Sequence, residues 1–324
     1  MIIDPALRAL RSDPASQRAM QAAMEQAKAD ALKDVGPVRA ALLRFSQGAP
    51  LEECEGLAEL FTSPGKAAAF TEQIVAGMVR AMRETPLGQV PFRHSYSGGF
   101  AVVQLAGTGA TALSLVSIEG DTLHERPPAR TLCFTDNERH EIVLAGEATG
   151  RIAKLQIGPD QKARFDFEAA EFEPGHVTRL SGLTETRLVD EVPSGLASLR
   201  LTRTPTNPRP TREFCLSHGA LVHQASGNRQ ASRHEMALAT LGSMGRSDAV
   251  PIVAEMACEQ GDDNLRWQAL RECLALDTAA GFTALCAVAA DPADALAGPA
   301  GALRGQLIET YPQLGQLEIA ACPA

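Results

Sequence analysis

The sequence predicts an α+β fold in three sections: a helical N-terminal region, a central antiparallel β-sandwich or barrel, and a C-terminal α-solenoid. Apolar residues recur every three or four positions in residues 1–88 and again from residue 231, which is the helical period. Between these sections the period is two, and turn signals recur at the spacing typical of sandwiches and barrels. The chain has 324 residues, of which 45% are hydrophobic, enough to build more than one domain.

Residues 1–88 are predicted to form a helical region. The stretch Ser16–Asp34 is rich in good helix formers, and a Gly-Pro pair separates it from a second helix at Val38–Ser46. A short third helix is expected at Pro50–Phe61. Ser63 is expected to cap a fourth helix, which begins with Pro64 and continues to about residue 83.

Residues 89–203 are predicted to form an antiparallel β domain. A turn at Gly107–Gly109 separates the first two strands, which indicates a hairpin. The further strand candidates end at about residue 202. In chain order all candidates are Phe100–Leu105, Thr111–Ile118, Arg130–Phe134, His140–Leu144, Gly150–Ile157, Ala163–Glu168, Val177–Leu180, Thr186–Val189 and Leu196–Thr202.

The segment Arg130–Ala148 resembles the central hairpin of the cupin family, most closely over the letters EIVLAGE at Glu141–Glu147. The resemblance implies a small β-barrel. Cupins commonly hold a metal through a His-x-His, a Glu and a later His, but His-x-His occurs nowhere in this sequence. Arg139 stands where the family's metal-binding Glu precedes the Gly by seven positions. The residues at the place of the first histidine pair are Thr135, Asp136 and Asn137.

We therefore expect a cupin-like barrel without a metal, and no cofactor is favoured. A divalent transition metal remains the alternative, and its first candidate ligands are His94, His140 and His176, which lie at predicted strand edges. His140 itself is expected to be a surface or half-buried residue.

A candidate ligand-binding string precedes the first predicted strand. It combines polar side chains with two glycines that would let the backbone approach a ligand closely. Its candidate binding residues are Arg93, His94, Tyr96, Gly98 and Gly99. The favoured alternative is a loop with a bulge that leads into the strand.

Residues 204–230 are predicted to be a linker and connecting segment. Three prolines fall within Thr204–Thr211, and each lacks the backbone N–H that a central strand needs. We expect this stretch to have no regular ladder partners and to divide the β section from the C-terminal helices.

Residues 231–324 are predicted to form short helices, at 231–243, 248–260, 263–275, 278–290 and 295–310. Ser247–Ala257 echoes Leu276–Ala287 at a period of about 30, and the segment resembles HEAT-like repeats. That resemblance implies a protein-binding or packing module. We expect Trp267 to pack between helices. A continuous core is predicted from Leu238, Leu241, Ile252, Val253, Leu270, Leu274, Phe282, Leu285, Leu303 and Leu307.

The charge distribution limits the classes of partner. The net charge of −9 argues against nucleic-acid binding, and no apolar run is long enough to span a membrane. The first 20 residues lack the apolar core of a secretory signal, so we expect a cytoplasmic protein. Residues 210–324 carry 7 basic and 13 acidic side chains, which favours a basic protein partner. The candidate interface acids are Glu259, Asp262 and Asp263.

These observations favour a non-catalytic adaptor or accessory protein that binds another protein, and with it a small ligand. The sequence contains no Gly-x-Ser-x-Gly, Walker loop or Cys-x-x-Cys motif. The alternative from another class is a cupin-like metal-dependent enzyme, a dioxygenase or an isomerase. A third hypothesis is a ligand sensor in which the barrel binds a small molecule and the helical repeat reports it.

Overall fold

Helices occupy both ends of the chain, and antiparallel strands occupy its middle. The computed structural model describes residues 5–120 and 129–321. The chain divides into two units, of which the first comprises Met1–Thr206 with Phe214–Leu221. The second comprises Asn207–Glu213 with Val222–Ala324.

The first unit begins with helices, two of which have side-chain caps; the cap at Ser63 was predicted, and the cap at Asp13 was not. Asp13 caps the second helix by accepting hydrogen bonds from two backbone N–H groups, and Ser63 caps the fifth through the N–H of Lys66. The predicted third helix is instead one short helix between two 3₁₀ turns. The helices are α1 (Pro5–Arg11), α2 (Pro14–Ala31), α3 (Gly36–Ser46), α4 (Glu55–Ala58) and α5 (Pro64–Glu84).

Most strands of the middle section extend beyond their predicted bounds at one end or both, and three strands were not predicted at all. The unpredicted strands are the first and the last two. In chain order the described strands are β1 (Arg93–Ser97), β2 (Phe100–Gly107), β3 (Thr111–Glu119), β4 (Thr131–Phe134), β5 (Glu138–Gly146), β6 (Ala148–Ile157), β7 (Ala163–Phe172), β8 (Val177–Ser181), β9 (Glu185–Glu191), β10 (Gly195–Arg203), β11 (Thr211–Cys215) and β12 (Leu221–Ala225).

The strand order is that of a double-sheet jelly roll. One sheet has the order β1-β2-β3-β10-β5-β8, and a second has the order β7-β6-β9. Strand β4 lies next to β9 and also forms the third small sheet, β12-β11-β4. The eight strands β3 to β10 therefore form the two four-stranded layers, β3-β10-β5-β8 and β4-β9-β6-β7, of a jelly roll.

Each face of the six-stranded sheet contacts a different apolar layer. Its outer face packs against the N-terminal helices, where Phe45 and Met24 join Leu113, Ile142 and Leu199 in one core. Its inner face packs against the second sheet. That inner core comprises Ile118, Val143, Ala148, Phe172, Val192 and Leu196. The two cores explain why these strands read as nearly continuous apolar runs.

The string at residues 93–99 is a strand and a turn, so the expected loop with a bulge is wrong. Residues Arg93–Ser97 pair in antiparallel register with Phe100–Gln104 of β2. Gly98 and Gly99 both have positive φ, 49° and 73°, which is the backbone of a two-residue hairpin turn and suits glycine.

The proline-rich stretch lies outside regular structure from Thr204 to Pro210, as predicted. Thr211 was included in that prediction wrongly, because β11 begins there. Strands β11 and β12 follow, so β structure continues to Ala225 rather than ending before the linker.

The second unit is helical after β12. Asn228, Asp262 and Asp277 each cap a helix by accepting backbone N–H hydrogen bonds. No described helix combines the length and apolar content needed to cross a lipid bilayer. The helices are α6 (Arg229–Ser243), α7 (Val250–Cys258), α8 (Asp263–Leu276), α9 (Thr278–Ala290), α10 (Ala297–Thr310) and α11 (Leu314–Ala321).

The core of the second unit contains most of the predicted residues. Leu238, Val253, Leu270, Phe282 and Leu285 are buried in it, and Trp267, Leu274, Leu303 and Leu307 pack against it partly buried. Leu241 is half-buried. Ile252 is 64% exposed, so its assignment to the core was wrong. On α7 the buried residues are Val250, Val253 and Ala257, and Ile252 points away from the face that they share.

Candidate functional site

Two charged side chains of β5 point into the jelly roll, from the half of the strand that precedes its apolar residues. Successive residues of a strand face opposite sides. Ile142 belongs to the core under the N-terminal helices, whereas Val143 belongs to the core between the two sheets. Arg139 and Glu141 share the side of Val143, so both charges face the interior.

Two further strands bring partners to Glu141. On β10, Arg200 stands directly opposite it, with Nε donating to Oε2 at 2.9 Å and Nη2 donating to Oε1 at 3.4 Å. The Ser198 hydroxyl donates to Oε1. From β9 of the facing sheet, Nη1 of Arg187 lies 3.0 Å from Oε1, an ion pair without the angular geometry of a hydrogen bond. One carboxylate therefore contacts both sheets. We call Arg139, Glu141, Arg187, Ser198 and Arg200 the interior cluster.

The carboxylate of the interior cluster is ionised although it is buried. The side chains of Glu141 and Arg187 are only 3% and 5% exposed. Burial by itself would raise the pKa of Glu141, but the charges of Arg200 and Arg187 and the hydrogen bonds from Arg200 and Ser198 outweigh it. Together they lower the pKa of Glu141 to about 2.

Positive charge exceeds negative charge in this interior. Burial, with repulsion from Arg200 and Arg187, lowers the pKa of Arg139 to about 10, so this guanidinium is still charged near neutral pH. Burial also lowers the pKa of Arg187. Three arginines thus face one carboxylate in the described part of the chain. The Nε of Arg139 and the Nη1 of Arg187 are buried without a hydrogen-bond acceptor among the described residues.

Aromatic rings hold two of the guanidinium groups in place. The Arg187 guanidinium carbon lies 5.0 Å from the centre of the Phe172 ring, and that of Arg200 lies 5.9 Å from the Phe100 ring. These are cation–π distances, and such contacts stabilise a positive charge removed from water. They leave the hydrogen-bond donors of the guanidinium edges available.

A cleft of about 760 Å³ borders the interior cluster. Its lining includes Thr178 and Ile152. Thr178 stands opposite Glu141 in strand register, and Ile152 stands opposite Arg187. Because directly opposed residues share a face of the sheet, the cleft lies against the cluster from the side of β8 and β6. Residues next to the cluster, and not the cluster itself, line the cleft.

The predicted ligand-binding string lies elsewhere. The side chains of Arg93, His94 and Tyr96 are exposed on β1, at the edge of the six-stranded sheet. The Tyr96 hydroxyl donates to Glu119 at 3.1 Å, and His94 Nδ1 lies 2.8 Å from the Phe92 carbonyl oxygen. None of the described clefts is lined by these residues or by the turn glycines.

The three candidate metal ligands are not gathered into a metal site. His140 is buried, contrary to the surface or half-buried position expected, because its side of β5 faces the N-terminal helices. Its Nε2 lies 2.8 Å from Glu138 Oε1, and its ring packs on Phe45 and Phe61. His176 packs edge-on against Phe172. Among residues 5–120 and 129–321, no three His, Cys, Asp or Glu side chains are grouped so that they could hold a metal.

The candidate interface acids have different surroundings. Glu259 is exposed just after α7. Asp262 caps α8 by accepting from the N–H groups of Asn264 and Leu265, and it also accepts from the Ser226 hydroxyl. Asp263 is exposed, with its carboxylate 3.7 Å from the Arg266 guanidinium. Asp262 thus has a local structural role.

The sequence contains one signal for the interior cluster. In the resemblance to the cupin hairpin, Arg139 stands where an acid would precede Gly146 by seven positions, and a base at that place favours an anion over a cation. In addition, Arg200 lies between two leucines of an apolar strand.

The chain matches no protein-family model and no curated protein sequence. Among solved structures, a 7S globulin from Momordica charantia is 14% identical over 38% of this chain and 35% of its own, with a TM-score of 0.26. Vicilin from Capsicum annuum is 13% identical over 38% of this chain and 33% of its own, with a TM-score of 0.26. The chain thus spans about a third of these two proteins.

A sugar phosphate isomerase of a cupin superfamily from Silicibacter pomeroyi is 12% identical over 41% of this chain and 88% of its own, with a TM-score of 0.24. Similarity at this level assigns neither a fold nor an activity to the chain. The strand order identifies the jelly roll.

Proposed function

We propose that this protein is a non-catalytic accessory protein of the cytoplasm, in which a cupin-like barrel binds a small anion and a HEAT-like C-terminal repeat binds another protein. The observation that supports anion binding is the excess of buried positive charge around Glu141. Isolated buried charges are costly unless they are paired. Arg139 keeps a buried Nε without an acceptor among the described residues, and Arg187 shares its one carboxylate oxygen with Ser198 and Arg200. An anion would supply both acceptor and charge.

Arginine is well suited to this role. Its planar guanidinium presents paired N–H donors that match a carboxylate or a phosphate, and it keeps its charge when buried. Glu141 holds Arg200 and Arg187 in position, and the aromatic rings support them from the side. The arrangement resembles a preformed anion site more than a structural ion pair, which would need only one arginine.

The protein-binding part of the proposal concerns the second unit. Its net negative charge favours a basic partner, and the exposed carboxylates of Glu259 and Asp263 would form part of the contact together with Asp262. Such a contact between exposed charges should weaken as salt is raised.

Binding of inorganic phosphate tests the anion site. We expect phosphate to raise the melting temperature of the protein above that measured in chloride at equal ionic strength, because a ligand that binds the folded state stabilises it. Arg139→Gln should lose most of this increase. Arg164→Gln is the matched control, since this arginine is 65% exposed on β7. No stabilisation of the unmodified protein by phosphate, or an equal loss in both variants, would refute the site.

The alternative, a cupin-like metal-dependent dioxygenase or isomerase, makes a different prediction. Protein purified without added metal would then contain iron, zinc or manganese in a one-to-one ratio. Elemental analysis of the purified protein decides between the two functions.

A further inference from the structure

We propose that the ligand of the barrel is a small organic dianion, a dicarboxylate or a phosphomonoester, rather than a monoanion. This inference rests on the proposed anion-binding function and adds the charge of the ligand to it. It starts from the charges of the interior cluster, where Arg139, Arg187 and Arg200 face Glu141 alone among the described residues.

The existing contacts show which donors are free for a ligand. Both oxygens of Glu141 are engaged, Oε2 by Arg200 and Oε1 by Ser198 and Arg200, with Arg187 close to Oε1. A ligand therefore has no need to displace this carboxylate. Among the described residues, the donor that remains without an acceptor is the buried Nε of Arg139. The buried Nη1 of Arg187 has only the shared Oε1 of Glu141, at 3.0 Å, so a ligand oxygen would add a second acceptor there.

These two arginines come from different sheets. Arg139 lies on β5 and Arg187 on β9, so a ligand that contacts both spans the interior. A group with two negative charges would neutralise the two positive charges that Glu141 leaves uncompensated. A monoanion would leave one buried cation unpaired, and a trianion would add a charge that Glu141 repels. In a weakly polar interior each such mismatch is costly.

The cleft limits the size of the ligand. Gly150 and Ala170 lie along its wall, and the Thr178 residue opposite Glu141 adds a hydroxyl near the charges. Small side chains at these positions leave room for a few carbon atoms. Glu168, Glu171 and Glu185 also line the cleft, so the anionic end of a ligand would have to point inward, toward the arginines, and away from these carboxylates.

Two pairs of compounds that differ by one charge test the inference by calorimetric titration. The first pair is succinate and succinamate; the second is methyl phosphate and dimethyl phosphate. The measurements are made at about pH 8 and constant ionic strength, because a phosphomonoester has a second pKa of about 6 and is then dianionic. We expect at least one dianion to bind about ten-fold or more tightly than its monoanionic counterpart. The pair that shows this preference distinguishes a dicarboxylate from a phosphomonoester ligand.

The outcomes separate the two proposals. Equal affinity within both pairs would overturn the dianion inference and leave anion binding intact. Absence of binding by all four compounds, and by inorganic phosphate, would overturn the anion-binding function and the inference with it.

Variants at Arg139 attribute the charge preference to the interior cluster. Arg139→Gln removes one positive charge, so the ratio of dianion affinity to monoanion affinity should fall toward one. Arg139→Lys keeps the charge and should keep most of the preference, which separates loss of charge from loss of fold. The exposed control Arg164→Gln should retain the full ratio. An unchanged ratio in a folded Arg139→Gln protein would place the bound dianion elsewhere.

Discussion

Glu141 and Arg200 stand directly opposite each other on neighbouring strands and are joined inside the jelly roll. Arg200 Nε donates to Glu141 Oε2 at 2.9 Å, and 59 residues of sequence separate the two. Arg187 approaches the same carboxylate from the facing sheet at 3.0 Å. This single acid therefore offsets positive charge on both layers.

Glu141→Gln should lower the free energy of unfolding by about 3–5 kcal/mol, because it leaves buried guanidinium groups without their counter-charge. Urea unfolding measures the change. Glu147→Gln is the control, since Glu147 is exposed just after β5 and its replacement should stay within about 0.5 kcal/mol. Equal stability of the two variants would contradict the buried network.

The stability of the protein should decline in acid partly through Glu141. Its pKa in the folded protein is about 2, below the ordinary value of an unfolded Glu, about 4.3. Its contribution is therefore complete above the unfolded pKa and is lost as the pH falls toward 2. Unfolding free energies measured between about pH 6 and pH 2 should fall less steeply in Glu141→Gln. Parallel curves for the two proteins would exclude this assignment.

Asp294→Asn should destabilise the second unit by about 3–5 kcal/mol. The buried Arg266 donates from Nη1 to Asp294 Oδ1 at 3.0 Å, and it would lose its main counter-charge. Asp263→Asn is a matched control because Asp263 also lies near Arg266, at 3.7 Å, but is 54% exposed. An exposed pair contributes at most about 1 kcal/mol. Urea unfolding measures both variants. A larger loss of unfolding free energy in Asp263→Asn than in Asp294→Asn would contradict the prediction.

Leu270→Ala and Ile252→Ala should differ in their effect on the free energy of unfolding, although both residues are apolar and both lie on helices of the second unit. Leu270 is fully buried, so its truncation should cost about 2–5 kcal/mol through lost burial and the cavity left behind. Ile252 is exposed, and its truncation should cost no more than about 0.5 kcal/mol. Chemical unfolding compares the two, and a large loss at Ile252 would restore it to the core.

Gly146→Ala should destabilise the protein by more than about 1 kcal/mol. Gly146 has a φ of 78°, and a Cβ there would lie 1.8 Å from the carbonyl oxygen of Gly195. Gly261→Ala is the control, because a Cβ at that position meets no atom within 4 Å. Thermal unfolding of both variants checks the prediction, and equal melting temperatures would contradict it.

Nine of the twelve described strands were predictable from their apolar residues, and three were not. The nine predicted strands all form, because apolar alternation marks a sheet that packs on a core. β1 was missed because all five of its residues are exposed at a sheet edge, so its sequence, RHSYS, shows no apolar period. Its register comes from the hairpin turn at Gly98 and Gly99 instead.

The candidate site was harder to predict than the fold. Arg139 carried a signal only through the resemblance of its segment to the cupin hairpin, in which an acid stands at this place. Nothing in the sequence indicated that Arg187 and Arg200 pair with Glu141, because the sequence does not show which strands become neighbours. The polar segment that contains His94 and Tyr96 was the candidate ligand site in the sequence, but it lies on an exposed edge strand.

The sequence by itself determined the order of helical and β sections, most helix and strand positions and the apolar faces, because these depend on periodicity and on local start and stop signals. Only the tertiary structure decided that β10 lies between β3 and β5 and that β9 faces them from the other sheet. That arrangement places three arginines around one glutamate. The physical reason is that charge pairing inside a barrel depends on distances between strands far apart in sequence, which local patterns do not encode.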